Sequence, residues 1–230
     1  MIDVGIIGAM EDEVKSIVAL LEEKQETKIS GITFYTGKIY EKSVAVAKCG
    51  VGKVFAAICA EAMILNFSPR LIVNTGVAGG VGRGVRTLDT VIADRLCQHD
   101  MDTSPLGDPK GLISGINKIY FDTDKRACEI IKKNADARSI RSHIGTVASG
   151  DKFVSSKEDS SKIVEEFEAI ACEMEGGSIA QVAFVNGTPF AVIRAISDNA
   201  DEGASMFYGD FLPLAVKNSS MLTLDLIKEY

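Results

Sequence analysis

The sequence predicts an α/β domain organised around a mostly parallel sheet. Short apolar runs alternate with helical segments, several runs stop on a carboxylate, and glycine clusters stand where strands hand over to helices. The stretch 169–198 shows all three features. Residues 169–172 are too short and too apolar for an exposed helix, and they halt on Glu173, Met174 and Glu175 before two glycines. Residues 178–185 continue as a small-residue helix, and Asn186, Gly187, Thr188 and Pro189 break it. Residues 190–196 are a nearly continuous apolar run, as a strand buried on both faces requires, and Ser197 and Asp198 close it. Two strands joined by one short helix are expected to run parallel, which would bring Glu175 and Asp198 to one rim, where open α/β sheets bind ligands.

The remaining elements follow the same alternation. Residues 3–8 predict a first strand that leads through Ala9 and Met10 into Glu11, Asp12 and Glu13. Val14, Ile17, Val18 and Leu21 share a face, predicting an amphipathic helix over 11–23. Residues 32–39 and 43–49 read as an antiparallel hairpin. Gly50–Lys53 opens a helix over 54–66, residues 71–75 form a buried strand, and 76–84 is the most glycine-rich segment. A strand over 90–98 leads into the aperiodic stretch 99–117, expected to be a functional or interface loop. A helix over 123–134, a strand over 141–149, a helix over 156–167 and a closing helix over 211–228 complete the chain.

Composition narrows the function. With 230 residues, 46% hydrophobic content and 5 prolines, the chain reads as one globular domain over 1–230. A net charge of -7 without a basic stripe argues against a nucleic-acid surface. Five cysteines without a CxxC spacing read as reduced core thiols. The N-terminus lacks a basic segment and a long apolar stretch, and no later run approaches a membrane span, so a cytoplasmic location is expected.

The familiar ligand motifs fail in detail. Around Gly50–Lys53 the phosphate-loop pattern meets Ala47 at its first glycine position and Val54 at its hydroxyl position. The glycines at 76, 79, 80, 82 and 84 never satisfy GxGxxG, but they offer backbone that a ligand can approach closely. His99, Asp100 and Asp102 lack a third partner with metal-site spacing and read as a solvated loop. Glu13, Glu175 and Asp198, each following a short apolar strand, are the more informative set. Carboxylates converging at one rim suit general acid and base work on a bond whose cleavage builds positive charge.

Six strings then carry a family resemblance: GIIGAMEDEV at the N-terminus, GVGK at 50–53, NTGVAGG at 74–80, SGDKFV at 149–154, EMEG at 173–176 and RAISD at 194–198. Together, in order and over nearly the whole chain, the sequence resembles the 5'-methylthioadenosine/S-adenosylhomocysteine nucleosidases. The resemblance implies the nucleoside phosphorylase fold, a three-layer α/β/α domain whose twisted, mixed, mostly parallel sheet partly closes into a barrel. It also implies hydrolysis of the N-glycosidic bond of adenosine derivatives by a homodimer without metal or cofactor.

On these residues the resemblance makes Glu13 the general base toward water and Asp198 the acid that protonates adenine N7. That acid needs a raised pKa, which desolvation at an apolar strand end would supply. Glu175 would accept from the ribose hydroxyls, Met174 would pack on the ribose, Phe153 would stack on the purine and the Val154 backbone would read its edge. Gly79 would approach through its main chain, with Ser197 beside Asp198. Met10, Val51 and Tyr208 would wall the alkylthio end, and the 99–117 loop would serve the partner's pocket. Arg194 could act on substrate or hold Glu173 or Asp198 as an ion-pair partner. Val77 stands where the family pattern carries serine.

Three alternatives stay open: a purine nucleoside phosphorylase, a futalosine-type nucleosidase and a non-catalytic nucleoside sensor. Met10–Glu13 occupies the place of a phosphorylase's glycine-arginine loop. Two like charges about 4 Å apart, at an effective dielectric of about 20, repel by roughly 4 kcal/mol, which favours water over phosphate.

Overall fold

The computed structural model describes residues 1–200 and 204–230, with side chains outside 201–210. Its elements run β1 (Val4–Gly8), α1 (Glu11–Val18), β2 (Glu22–Ile29), β3 (Ile32–Ile39), β4 (Lys42–Lys48), α2 (Lys53–Phe67), β5 (Leu71–Gly80) and β6 (Thr90–Gln98). There follow β7 (Phe121–Asp122), α3 (Lys125–Ala137), β8 (Ser142–Ser149), α4 (Lys157–Phe167), β9 (Ala169–Glu173), α5 (Gly176–Asn186), β10 (Phe190–Asp198) and α6 (Ala204–Glu229).

One sheet holds the molecule together, in the order β10-β6-β8-β9-β5-β1-β4-β3-β2, and β10 also pairs with β5. The strands β10, β6, β8, β9 and β5 therefore close on themselves as a small barrel, and β1, β4, β3 and β2 extend it as an open wing. Two parallel sets make the body, β4-β1-β5-β10 and β6-β8-β9, joined by antiparallel pairings of β10 with β6 and β5 with β9. Helices cover both faces, giving three layers. Ile7 and Ile72 pack with Ala60 and Met63 of α2 and Ala180 of α5. Ile6 and Val73 pack with Ile17 of α1, Ile131 of α3 and Leu226 of α6. Neighbouring strand residues thus serve opposite layers, which is why these strands read as continuous apolar runs.

Three expectations need correction. The helix over 11–23 stops at Val18, and residues 22–29 form β2 on the hairpin's outer edge. Its residues are almost all exposed and charged or polar, so no alternation marks the strand, and Leu21 is buried without being helical. The strand expected over 71–75 continues through Gly80. Finally, β9 and β10 are not parallel neighbours: β5 lies between them, parallel to β10 and antiparallel to β9. Their carboxyl ends meet all the same, because Gly79 pairs with both Cys172 and Asp198. Barrel closure, rather than a shared edge, brings the two acids together.

Candidate active site

The meeting point of these strand ends is a cavity of about 410 Å³, within the range that accommodates a small ligand. Of the residues singled out in the sequence, Met10, Glu13, Val51, Gly79, Phe153, Val154, Met174, Glu175, Ser197 and Asp198 line it. Tyr208 lies outside the described side chains.

Glu13 sits in the first turn of α1, where carboxylates are ordinary, but its side chain turns back into the protein and is 1% exposed. One carboxylate oxygen accepts the Ala9 and Met10 N–H groups at 2.7 and 2.9 Å, and the other accepts the Val77 N–H at 3.1 Å. Burial pushes its pKa above the usual carboxylate value, against the pull of Arg194 and the three amides. A buried carboxylate held by fixed dipoles, its pKa raised by burial, is suited to accept a proton from water.

Asp198 ends β10 at a bulge. Between Ile196 and Asp198 the register against β5 shifts by one residue, so Ile196 faces Ala78 and Asp198 faces Gly79. The shift re-aims the terminal acid, as bulges beside active sites do. Its carboxylate accepts the Ser197 hydroxyl and the Ala200 N–H, both at 2.8 Å. Ser197 therefore acts on the acid's orientation as well as lining the cavity.

Glu175 caps the floor. Its Oε1 accepts the Gly52 N–H at 2.9 Å, and Oε2 lies 3.6 Å from the Arg194 guanidinium. Burial and the neighbouring Glu173 push its pKa up to about 7, against Arg194 and the Gly52 N–H. The arrangement offers an acceptor and a titratable negative charge to the cavity.

Arg194 corrects an expectation: it does not line the cavity. It is 1% exposed, behind the wall, where its guanidinium pairs with Glu173 and Asn74. Of its two proposed partners, Glu173 is the one found. Sequence reasoning gave Glu173 no role of its own. It lines the cavity and accepts the backbone N–H groups of Glu175 and Gly176 at 3.0 and 2.7 Å, the Ser149 hydroxyl and Arg194. The signal was present, since an arginine inside an apolar strand demands a buried anion. Ala9, Val77, Ala78, Lys152 and Cys172 are the other lining residues among those described. The Val77 side chain contributes apolar surface and packs with Met10, while its N–H serves Glu13. Phe153 and Val51, 45% and 52% exposed, form the rim.

A small barrel beside a cavity lined by four buried carboxylates, Glu13, Glu173, Glu175 and Asp198, inside a three-layer α/β/α frame, is the architecture of a nucleoside-cleaving class. The phosphorylase superfamily model matches residues 3–228, and the chain belongs to that superfamily. The 5'-methylthioadenosine/S-adenosylhomocysteine nucleosidase of Haemophilus influenzae strain PittGG is 38% identical over 225 residues, covering 97% of this chain and 98% of the relative. The aminodeoxyfutalosine nucleosidase of Helicobacter pylori strain J99 is 36% identical, covering 98% of each. Among solved structures, the Neisseria meningitidis 5'-methylthioadenosine/S-adenosylhomocysteine nucleosidase in complex with methylthio-immucillin-A superposes with a TM-score of 0.96 at 33% identity, covering 100% of both chains. Within the superfamily, the chain belongs to the 5'-methylthioadenosine/S-adenosylhomocysteine nucleosidase family.

Proposed function

We propose that the chain, as one catalytic unit over 1–230, hydrolyses the N-glycosidic bond of 5'-methylthioadenosine and S-adenosylhomocysteine, and also of 5'-deoxyadenosine. The products are adenine and a 5-substituted ribose. The observation that carries this reading is that Glu13, Glu175 and Asp198 line one mostly apolar cavity. Asp198 donates a proton to adenine N7, so the base leaves neutral as the bond from the anomeric carbon to nitrogen breaks. Glu175 accepts from the ribose hydroxyls and its charge steadies the oxocarbenium-like sugar. Glu13 takes one proton from the water whose oxygen bonds to the anomeric carbon. Phe153 stacks on the purine and the Val154 backbone reads its edge, with Gly79 and Met174 against the nucleoside. Met10 and Val51 wall the alkylthio end.

The Helicobacter pylori relative supports a second reading, in which a futalosine-type nucleoside is the substrate of the same chemistry. For its setting, the proposal is a cytoplasmic, cofactor-independent homodimer working in methionine salvage, with the 99–117 loop at the interface. The exposed apolar side chains of Val54, Phe55 and Ile58 on α2 and of Phe184 and Val185 on α5, two helices in contact, together with exposed Leu106 in the loop, support this pairing.

The test is adenine release in phosphate-free buffer from methylthioadenosine, S-adenosylhomocysteine, 5'-deoxyadenosine and an aminofutalosine-type nucleoside, side by side. Turnover of the first three supports the main reading. Turnover of the last alone moves the function to the second reading. A requirement for phosphate would make the chain a phosphorylase, and tight binding without turnover would make it a sensor.

A further inference from the structure

The Gly50–Lys53 turn fails as a phosphate loop, and its lysine has a different set of partners. Lys53 Nζ donates to Asp100 Oδ1 at 2.6 Å and to Gln98 Oε1 at 3.2 Å, while the Lys53 backbone N–H donates to Asp151 Oδ1 at 2.7 Å. The second oxygen of Asp100 accepts the Asp151 N–H at 2.9 Å. Lys53, Asp100 and Asp151 thus form a closed ring of hydrogen bonds joining the start of α2, the segment after β6 and the segment after β8.

Two of these three segments carry a wall of the cavity. Immediately before Lys53, Val51 forms rim and the Gly52 N–H holds Glu175. Shortly after Asp151, Phe153 and Val154 form the opposite wall. The start of α2 has no means of its own to hold this geometry. Its N-cap is Gly52, which supplies no side-chain bond, and no acid lies in its first turn. Asp151 supplies the missing acceptor from across the ring, and a carboxylate there also meets the positive end of the helix dipole. Gly52 is required at this point: its φ is +99°, and a Cβ would lie 3.0 Å from Asp151 Oδ1. The ring is shielded only on its Lys53 side, where the Lys53 and Asp100 side chains are 19% and 30% exposed, whereas Asp151 is exposed. Burial pushes the Asp100 carboxyl up, yet the Lys53 bond and the Asp151 amide hold it below its usual value.

We propose that Lys53 is a positioning residue for substrate binding. Through Asp100 and Asp151 it sets the spacing between the turn that holds Glu175 and the Phe153–Val154 wall that faces it. The inference rests on the nucleosidase reading above. It assigns Lys53 no contact with the reacting atoms, so its loss is felt in how well the walls grip the substrate. With one wall released, the ground state loses its contacts before the chemical step does, and KM bears the cost.

The experiment is a double-mutant cycle on methylthioadenosine hydrolysis with Lys53→Met, Asp100→Asn and the pair. Each single variant is expected to raise KM by about tenfold with kcat within about threefold, and the double variant to cost no more than the worse single one. Lys53→Gln, which keeps a donor toward Asp100, is expected to recover part of the loss and serves if Lys53→Met does not fold. KM within about twofold of the parent in both single variants, a fall confined to kcat, or penalties that multiply in the double variant would each overturn the proposal. So would a lowered melting temperature with unchanged KM. A parent protein that turns over none of the nucleosides sinks the functional reading itself. The position of Lys53 is then read from the affinity of a non-hydrolysable methylthioadenosine analogue, which the same variants must weaken for the inference to stand.

Discussion

Arg194, behind the cavity wall, forms an ion pair with Glu173, which is part of that wall, and their side chains are 1% and 2% exposed. The pair joins β10 to the end of β9, so the same contact that neutralises Glu173 also fixes the turn from which Glu175 projects. Removing one partner would leave a buried charge uncompensated. Arg194→Met is therefore expected to cost about 3–5 kcal/mol in denaturant unfolding and to abolish turnover. Adding Glu173→Gln to that variant should return part of the stability. If Arg194→Met alone unfolds like the parent, the pair does not hold this wall.

Gly76 is a second structural requirement of the same region. It pairs with Arg194 in the β5–β10 ladder, and a Cβ there would press on Arg194 Nη1 and Glu13 Oε1, with Glu13 Cδ at 2.9 Å. All of these are buried and bonded, so none can retreat cheaply. Gly76→Ala is expected to lose about 1–3 kcal/mol and most activity, whereas Gly84→Ala, where the added carbon meets nothing but φ is +84°, should lose some stability through backbone strain and keep activity. Activity of Gly76→Ala near the parent's would show that the Glu13 and Arg194 side chains tolerate displacement.

Glu13 uses both carboxylate oxygens to receive three backbone N–H groups. Glutamine has one acceptor oxygen and would turn an amide NH₂ toward at least one of those donors. Glu13→Gln should thus lose turnover and about 1–3 kcal/mol of stability together. Retained hydrolysis by this variant would place the base elsewhere.

The chain's legibility followed burial. A strand covered on both faces, such as β10, announces itself as an apolar run, and the strand expected over 90–98 spans those residues as β6. The edge strand β2 buries almost nothing, so its charged residues carry no pattern. Glu13, Glu175 and Asp198 were legible as acids after strands, and all three line the cavity. What local sequence could not express was closure. The antiparallel contact of β5 with β9 involves two residue pairs whose partners are more than ninety residues apart, and it decides how those acids meet. Glu173 was obscured for a related reason: its partner Arg194 lies on a strand that reaches it only through that closure.

The two oxygens of Asp198 accept the Ser197 hydroxyl and the Ala200 N–H, which a single asparagine oxygen can replace only in part. The main loss in Asp198→Asn is chemical, because an amide has no acidic proton for a leaving purine. Turnover of methylthioadenosine is expected to fall by about 10²–10⁴-fold, the usual share of a general acid, with analogue affinity nearly kept. Single-turnover kinetics and calorimetric titration measure the two separately. Near-normal turnover would remove Asp198 from the role.

Glu175 links the site to pH. Its folded pKa, raised from 4.5 to about 7, means that the folded protein prefers the protonated acid. Its contribution to stability is therefore present below about pH 4.5 and lost as pH rises through about 7, amounting to roughly 3 kcal/mol between those limits. The burial-raised Glu13 acts in the same direction. Glu175→Gln keeps an acceptor for the Gly52 N–H and cannot ionise. It should match the parent near pH 5 and exceed it by on the order of 2–3 kcal/mol near pH 8, while binding nucleoside less well. The ionised form that costs stability is the one that serves the ribose and the developing positive charge. Denaturant unfolding of both proteins across this range decides the matter: an advantage that fails to grow with pH would mean the Glu175 carboxyl is not raised in the folded protein.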